Sequence, residues 1–138
     1  IPVIDDYGHH PKELSVTFQA IRDAYPGRRL ISVFQPHRYS RTEDLFDDFV
    51  SVLTTADELI LLPVYAAGET PVLGAESKDL AMTIRRLSQC HPVVEKEFES
   101  AIGRICDIAT PNDVILIQGA GSIGRLPHML LETCGRLP

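Results

Sequence analysis

The sequence predicts a single α/β domain, a Rossmann-like three-layer fold in which a mostly parallel sheet is covered by helices on both faces. Three observations carry that expectation. Short, continuous apolar runs recur along the chain. Amphipathic stretches of helical period separate them, and Gly, Pro and capping residues punctuate the boundaries. Runs that are apolar on both sides of the strand belong in a sheet buried on both faces, and the alternation with helices makes that sheet parallel.

The elements follow in order. Ile1 to Ile4 reads as the end of a strand. Pro11 suits the first position of a helix, where its missing N–H costs nothing, and the helix runs to about Ala24 with Leu14, Phe18 and Ile21 on one face. Pro26-Gly27 stops it. Arg29 to Phe34 is a strand ended by Pro36, since proline cannot donate to a ladder. Thr42 is placed to cap the next helix, with Glu43 and Asp44 near its positive end and Leu45, Phe46, Phe49, Val50 and Leu53 as its apolar stripe. Glu58 to Val64 is a third strand that ends or bends at Pro63. After a loop from Tyr65 to about Glu76, Ser77 caps a helix through Leu87. Pro92 to Glu95 is a short strand, and Phe98 to Ala109 a helix with Ile102, Ile105 and Cys106 inward. Asp113 to Gln118 is the clearest strand, and Gly119 to Gly124 turns into a last helix over about Ile123 to Thr133.

A chain of 138 residues fits one domain and buries roughly two thirds of its unfolded surface. A net charge of -6 argues against broad nucleic-acid binding, which needs a basic face. No stretch is apolar enough to span a membrane and no secretory signal opens the chain. Cys90, Cys106 and Cys134 are odd in number and widely spaced, so free thiols are expected rather than a disulfide framework or zinc site, in keeping with a reducing cytoplasm. The first residue is not Met and begins an apolar run, as expected of a fragment of a longer chain.

In such folds ligands sit outside the carboxyl ends of the strands. Two loops there concentrate the chemistry, DDYGHHP (Asp5 to Pro11) and QPHRYSR (Gln35 to Arg41). The stretch from Ala24 to Thr42 lacks any acid but holds Arg28, Arg29, His37, Arg38 and Arg41. An acidic protein therefore has a cationic window at one strand end. Arg38 and Arg41 on a loop entering a helix can converge on one carboxylate or phosphate; equally, they can pair with Glu43, Asp44 or Asp47 on the surface. Asp5 and Asp6 face opposite ways if the strand continues, so that one can accept hydrogen bonds from ribose hydroxyls; both also suit turns and caps. His9 and His10 are adjacent and lack further ligands, so no metal site is expected. GAGSIG (Gly119 to Gly124) follows a strand and precedes a helix, so Gly119 and Gly121 belong to either a phosphate cradle or a tight packing turn. Tyr65 and Glu69 lie in YAAGE, a further strand-end loop that can touch a ligand.

DDYGHHP, FQPHRYSRT, VYAAGE and IQGAGSIG, in this order and across essentially the whole chain, resemble the C-terminal domains of the UDP-N-acetylmuramate–L-alanine ligases, a branch of the Mur ligase family of peptidoglycan synthesis. The resemblance implies an amino-acid-binding domain over residues 1–138, with the N-terminal UDP-sugar domain and the central ATPase domain absent. It implies an enzyme that uses ATP and Mg to phosphorylate the muramate carboxylate, after which the amine of L-alanine attacks the acyl phosphate. By motif position, Asp6 hydrogen-bonds the ATP ribose, and Tyr7, His9, Arg38 and Arg41 form the L-alanine pocket with the arginines on its carboxylate. His9 is also a candidate to orient or deprotonate the amine. The resemblance assigns no role to Tyr65, Glu69, Gly119 or Gly121. No phosphate loop of the form G-x-x-x-x-G-K-[ST] occurs here, so the fragment alone is expected to be inactive. The competing expectations are a related ligase that attaches a recycled tripeptide to UDP-N-acetylmuramate, a free-standing nucleotide- or phosphate-binding module resting on Gly119 to Gly124, and a purely structural interaction domain.

Overall fold

The computed structural model describes residues 1–134. Five parallel strands form one sheet: β1 (Val3–Asp6), β2 (Arg29–Phe34), β3 (Glu58–Leu61), β4 (Val93–Val94) and β5 (Asp113–Gln118), in the spatial order β1-β5-β2-β3-β4. The helices are α1 (Pro11–Ala24), α2 (Tyr39–Asp44), α3 (Phe46–Leu53), α4 (Ser77–Leu87), α5 (Phe98–Ile108) and α6 (Leu126–Cys134), with a 3-10 turn at Ser122–Arg125 before α6.

The side-chain alternation of the strands builds two cores. Leu30, Phe34, Leu59, Leu61, Val114 and Leu116 point to one face, against Leu14, Phe18 and Ile21 of α1, Phe49 and Leu53 of α3, and Leu80 and Ile84 of α4. Ile31, Val33, Ile60, Ile115 and Ile117 point to the other, against Ala101, Ile102 and Ile105 of α5 and Leu126 and Leu130 of α6. The expected three-layer α/β fold is what forms. The six residues of β5 are all buried, because a strand sits on either side and a helical layer on either face.

Several boundaries differ from the sequence expectation. β3 ends at Leu61, short of Val64, and the last helix begins at Leu126, after the 3-10 turn, rather than at Ile123. β1 carries both aspartates, Asp5 opposite Ile117 and Asp6 opposite Gln118, because pairing with β5 rather than side-chain polarity decides where it ends. The helix expected to start at Thr42 starts at Tyr39; Thr42 lies inside it, fully buried, its hydroxyl donating to the Arg38 carbonyl at 2.9 Å. That helix breaks at Leu45 (φ -114°, ψ 22°) before α3 begins. Ser77 is the first helical residue and Glu76 the cap, while the Ser77 hydroxyl donates to the Leu62 carbonyl.

The expectation of three unrelated thiols is corrected. Cys106 and Cys134 lie side by side within disulfide reach, with Cα atoms 6.6 Å apart, and Cys90 is free and buried. α5 and α6 lie together over one sheet face, which brings these distant positions side by side. Cysteine usage therefore carries no argument about compartment.

The amino ends of the strands, away from the candidate site, are tied by charge. Arg29 grips the buried Asp113 with two hydrogen bonds, Nε to Oδ1 and Nη2 to Oδ2, both 2.9 Å. Arg29 also donates to the Ile108 carbonyl and reaches Glu58 at 3.3 Å. Burial opposes ionisation of Asp113, but the Arg29 guanidinium and the Thr110 N–H outweigh it and hold the carboxyl below its usual range. A depressed carboxylate pKa stabilises the fold above the unfolded value and loses that stability as pH falls. Asp113→Asn is expected to cost about 2–3 kcal/mol in urea unfolding at pH 7, below the full value of a buried pair because Arg29 is partly exposed. The difference between wild type and variant should shrink below about pH 4. A difference that does not change down to pH 2 would remove Asp113 from the acid response.

Candidate functional site

The spatial order β1-β5-β2-β3 sets four loops side by side at the carboxyl edge of the sheet: Asp6–Pro11, Gln118–Gly121, Gln35–Arg41 and Pro63–Glu69. Chain direction reverses its lateral progress here, since β5 returns to lie between β1 and β2. That is where ligands bind in open α/β sheets.

The first loop fixes a carboxylate. Asp6 Oδ2 accepts from Gln118 Nε2 (2.8 Å), the Gly8 N–H (3.1 Å) and the Thr17 hydroxyl (3.3 Å). Among the described residues no bond falls on Oδ1. Gly8 is glycine for a local reason: a Cβ there would lie 2.7 Å from Asp6 Oδ2. Asp6, Tyr7, Gly8, Lys12, Glu13, Val16 and Thr17 line an open cleft with an apolar floor. A sugar hydroxyl pair would find a pre-oriented acceptor there, and the Tyr7 and Val16 side chains are exposed beside it. His10 turns away and caps α1, its Nδ1 accepting from the Lys12 N–H, while Glu13 Oε1 accepts from the His10 N–H (3.0 Å) and the His9 N–H (3.3 Å).

A row of rings joins three of the loops. Tyr7 meets His9 edge-on at 5.9 Å between centroids, His9 meets His37 at 5.7 Å, and His37 stacks on Tyr65 at 5.5 Å with planes 18° apart. His9 Nδ1 lies 3.2 Å from the Tyr7 carbonyl, which can only accept, so the proton sits on Nδ1 and the neutral ring offers Nε2 as an acceptor. His37 is the opposite tautomer when neutral. Arg41 Nη1 donates both to His37 Nδ1 (3.1 Å) and to the His37 carbonyl (2.9 Å), leaving the proton on Nε2. Burial first, then Arg41, His9 and Arg38, push the His37 pKa down against the weaker pull of Glu69, which keeps the ring neutral near pH 7.

Arg38 and Arg41 line one cleft with His37, Ser40, Asp44 and Leu45. Arg38 adopts φ +74°, a left-handed conformation that non-glycine residues rarely hold, and it is exposed. The turn is held because the Arg38 N–H donates to the Tyr65 carbonyl at 2.8 Å and Thr42 bonds back to the Arg38 carbonyl. Among the described residues the Arg38 guanidinium has no ion-pair partner, and Arg41 is bonded only to His37. Neither pairs with Glu43, Asp44 or Asp47. This is a cationic cleft with one anchored and one uncommitted guanidinium, next to a neutral imidazole and an exposed phenol.

Glu69 is turned to a different task. Its carboxylate accepts from the Ser40 N–H (3.1 Å) and the Ser40 hydroxyl, capping the start of α2 from 29 residues away in sequence. The Ser40 hydroxyl, then its N–H, hold the Glu69 pKa below the ordinary value. Gly119 (φ +152°) and Gly121 belong to a tightly packed turn. A Cβ on Gly119 would meet Ile123 Cγ2 at 2.6 Å, and one on Gly121 would meet Tyr65 Cγ at 2.5 Å. The turn is closed by a residue whose role the sequence does not announce. Gln35, buried, donates from Nε2 to the Ser122 hydroxyl (3.1 Å) and accepts the Ile123 N–H on Oε1 (3.0 Å). Gln118 is likewise central to the geometry and signalled only by its place at a strand end, while His37, counted with the cationic window in the sequence, serves as a neutral ring that anchors Arg41.

The chain matches the family model described as "Mur ligase, glutamate ligase domain" over residues 1–121. It is 52% identical to a UDP-N-acetylmuramate–L-alanine ligase of Nitrosomonas europaea, across 98% of this chain and 28% of that protein. Among solved structures it resembles a UDP-N-acetylmuramate-alanine ligase of Thermotoga maritima, with a TM-score of 0.66, 25% identity, and coverage of 95% of this chain and 26% of that one. It also resembles a domain of a Haemophilus ducreyi UDP-N-acetylmuramate:L-alanyl-γ-D-glutamyl-diaminopimelate ligase, with a TM-score of 0.69, 23% identity, and coverage of 96% and 89%. The last likeness is one of fold. The chain thus spans little more than a quarter of the length of the curated relative it matches.

Gln35→Leu tests whether the glycine turn is held as described. It leaves the Ile123 N–H without its acceptor, at a cost of about 1–3 kcal/mol. Hydrogen exchange at the Ile123 amide should lose most of its protection while the amides of β5 keep theirs. Unchanged exchange at Ile123 would mean that Gln35 does not hold the turn.

Proposed function

The chain belongs to the Mur ligase family, and from that premise we propose that it is the C-terminal, amino-acid-binding domain of an ATP-dependent ligase that joins L-alanine to UDP-N-acetylmuramate. The observation that carries the reading is the cleft lined by Arg38, Arg41 and His37 at the strand ends, with His37 continuing into the ring row of His9 and Tyr7.

In this reading a small amino acid lies with its carboxylate on Arg38 and Arg41. Two guanidinium groups fix an anion in orientation as well as in place. With the charged end held, the amine is directed to the other side of the cleft, toward the ring row. His9, protonated on Nδ1 by its bond to the Tyr7 carbonyl, presents Nε2 to accept a hydrogen bond or a proton from that amine. A neutral His37 avoids adding a third positive charge beside the ammonium form of the substrate. Tyr7, exposed at the end of the ring row, is assigned to the same amino-acid pocket. Aligning the amine for attack on an activated muramate carboxylate is a contribution of proximity and orientation.

Asp6 is assigned to the ribose of ATP, which suits a carboxylate with one oxygen pinned and the other open. ATP supplies the phosphoryl group that activates the muramate carboxylate. No residue of this chain is assigned to Mg. The UDP-sugar and the phosphates of ATP fall to an N-terminal and a central domain in the same reading, so the fragment alone makes no amide. No helix among the described residues is long and apolar enough to cross a membrane. The proposed setting is the cytoplasm.

In a full-length ligase carrying this domain, Arg38→Ala and Arg41→Ala should each raise the KM for L-alanine by roughly a hundredfold, the worth of a charged hydrogen bond, with the KM for ATP little changed. Alanine kinetics that ignore both substitutions would remove the carboxylate clamp. Offering a tripeptide in place of alanine to the same enzyme separates the two branches of the family. Ligase turnover by residues 1–138 alone would contradict the division of labour.

A further inference from the structure

The proposed reaction leaves Tyr65 and Gly121 without a task, yet Tyr65 stacks on His37, which lines the cationic cleft, and Gly121 packs against Tyr65. Tyr65 follows Pro63, beyond the end of β3. Its backbone nevertheless continues the sheet. The Tyr65 N–H donates to the Pro36 carbonyl and its carbonyl accepts from the Arg38 N–H, both at 2.8 Å, which pairs His37 with Tyr65 as a parallel bridge past two strand-ending prolines. This fixes the Cα of Tyr65 directly beside that of His37.

The rings follow the backbone. Tyr65 stacks on His37 with planes 18° apart. The base of the tyrosine side chain rests on Gly121, where a Cβ would come within 2.5 Å of Cγ and 2.9 Å of Cβ. The backbone of Gly121 is φ -102°, ψ -144°, so its negative φ calls for no glycine. The clash with Tyr65 and Gln35 does. On its far side His37 holds Arg41 by ring nitrogen and carbonyl together. An unbroken mechanical series therefore runs from Gly121 through Tyr65 and His37 to Arg41. Among the described residues the Tyr65 hydroxyl has no hydrogen-bond partner, so it is the ring face that is used.

Resting on the reading of Arg41 as a carboxylate ligand, we infer that Tyr65 is a positioning residue that sets the Arg41 guanidinium through His37, and that Gly121 is glycine in order to seat the Tyr65 ring. The physical basis is the torsional freedom of both partners. An imidazole has a broad two-fold well about its second side-chain torsion, and an arginine has four torsions to order. Stacking from one side and the guanidinium from the other hold His37 at one angle. Arg41 then reaches its substrate with two anchors already made. Loss of the tyrosine ring frees His37 to turn and reduces Arg41 to the carbonyl anchor. The middle glycine of GAGSIG thereby acquires a function in amino-acid recognition.

The test uses a full-length ligase carrying this domain, in wild-type form and with Tyr65→Phe, Tyr65→Ala and Gly121→Ala. Tyr65→Phe should match wild type. Tyr65→Ala and Gly121→Ala should raise the KM for L-alanine roughly tenfold, with the KM for ATP and kcat changed less than about twofold, the pattern of a ligand-positioning defect. A second readout does not depend on the substrate. In 15N spectra of the 138-residue chain, the His37 ring, which faces Arg41, His9, Arg38 and Glu69, should titrate below the ordinary histidine range and move upward in Tyr65→Ala as water reaches it. Equal rises in the KM for alanine and ATP, or an unmoved His37 titration in Tyr65→Ala, would overturn the inference. If the wild-type ligase uses an acceptor other than alanine while His37 still responds to Tyr65, the coupling stands and the substrate reading fails.

Discussion

The insertion of β5 between β1 and β2 is the constraint from which the rest of the molecule follows. Its six residues are buried on both faces and both edges, and its register brings Gln118 opposite Asp6 on one side and Phe34 on the other. A one-residue slip would exchange the two cores and carry the Gln118 amide away from Asp6. The same pairing presents the Asp6 carbonyl to the Gly119 N–H and the Gln118 carbonyl to the Gln35 N–H. Each loop at the carboxyl edge therefore leaves the sheet in register with its neighbour. A pocket assembled from four separate stretches of chain can be accurate only if the strands beneath it cannot slide.

Above the sheet, polar side chains continue what backbone pairing begins. Asp6 gathers Gly8, Thr17 and Gln118; Gln35 gathers Ser122 and Ile123; Glu69 gathers Ser40. These bonds are individually modest. Their effect is to remove the freedom of loops that would otherwise have to be ordered when a ligand arrives, a cost that weakens binding in proportion to the number of mobile side chains. The strained φ of Arg38 belongs in the same account. Its backbone is held between Tyr65 and Thr42, so that the side chain projects at the mouth of a cationic cleft instead of along the helix.

What the sequence reveals divides along the same line. Apolar periodicity announces the layers and nearly all the elements, as in β5 and α1, with Pro11 marking the start of α1. The carboxylate and guanidinium cluster is visible because Asp6, Arg38 and Arg41 are chemically distinctive and lie at strand ends. Three features are not legible. Local capping logic favours Thr42, whereas the cap comes through space from Glu69. Wide spacing makes Cys106 and Cys134 look unrelated, whereas helix packing brings them together. Gln35 and Gln118 are ordinary amides until the register puts Gln35 against a loop that needs a donor and an acceptor, and Gln118 where its Nε2 donates to Asp6.

The glycines show why such features escape a motif reading. Gly8, Gly119 and Gly121 look alike in the sequence, and the last two match a phosphate-binding pattern. Their causes differ. Gly8 makes room for the Asp6 carboxylate, Gly119 has both a positive φ and no space beside Ile123, and Gly121 has a negative φ and yields its volume to Tyr65 and Gln35. A phosphate cradle requires backbone N–H groups turned outward and unpaired. Here the Gly119 N–H is given to Asp6, the Ile123 N–H to Gln35 and the Gly124 N–H to Gly121. Those three donors serve the turn itself, while among the described residues the N–H groups of Ala120, Gly121 and Ser122 have no partner. Gly121 alone serves the fit of the tyrosine ring against an imidazole, and through these the placement of an arginine, so one glycine pattern in the sequence covers three different local packing problems.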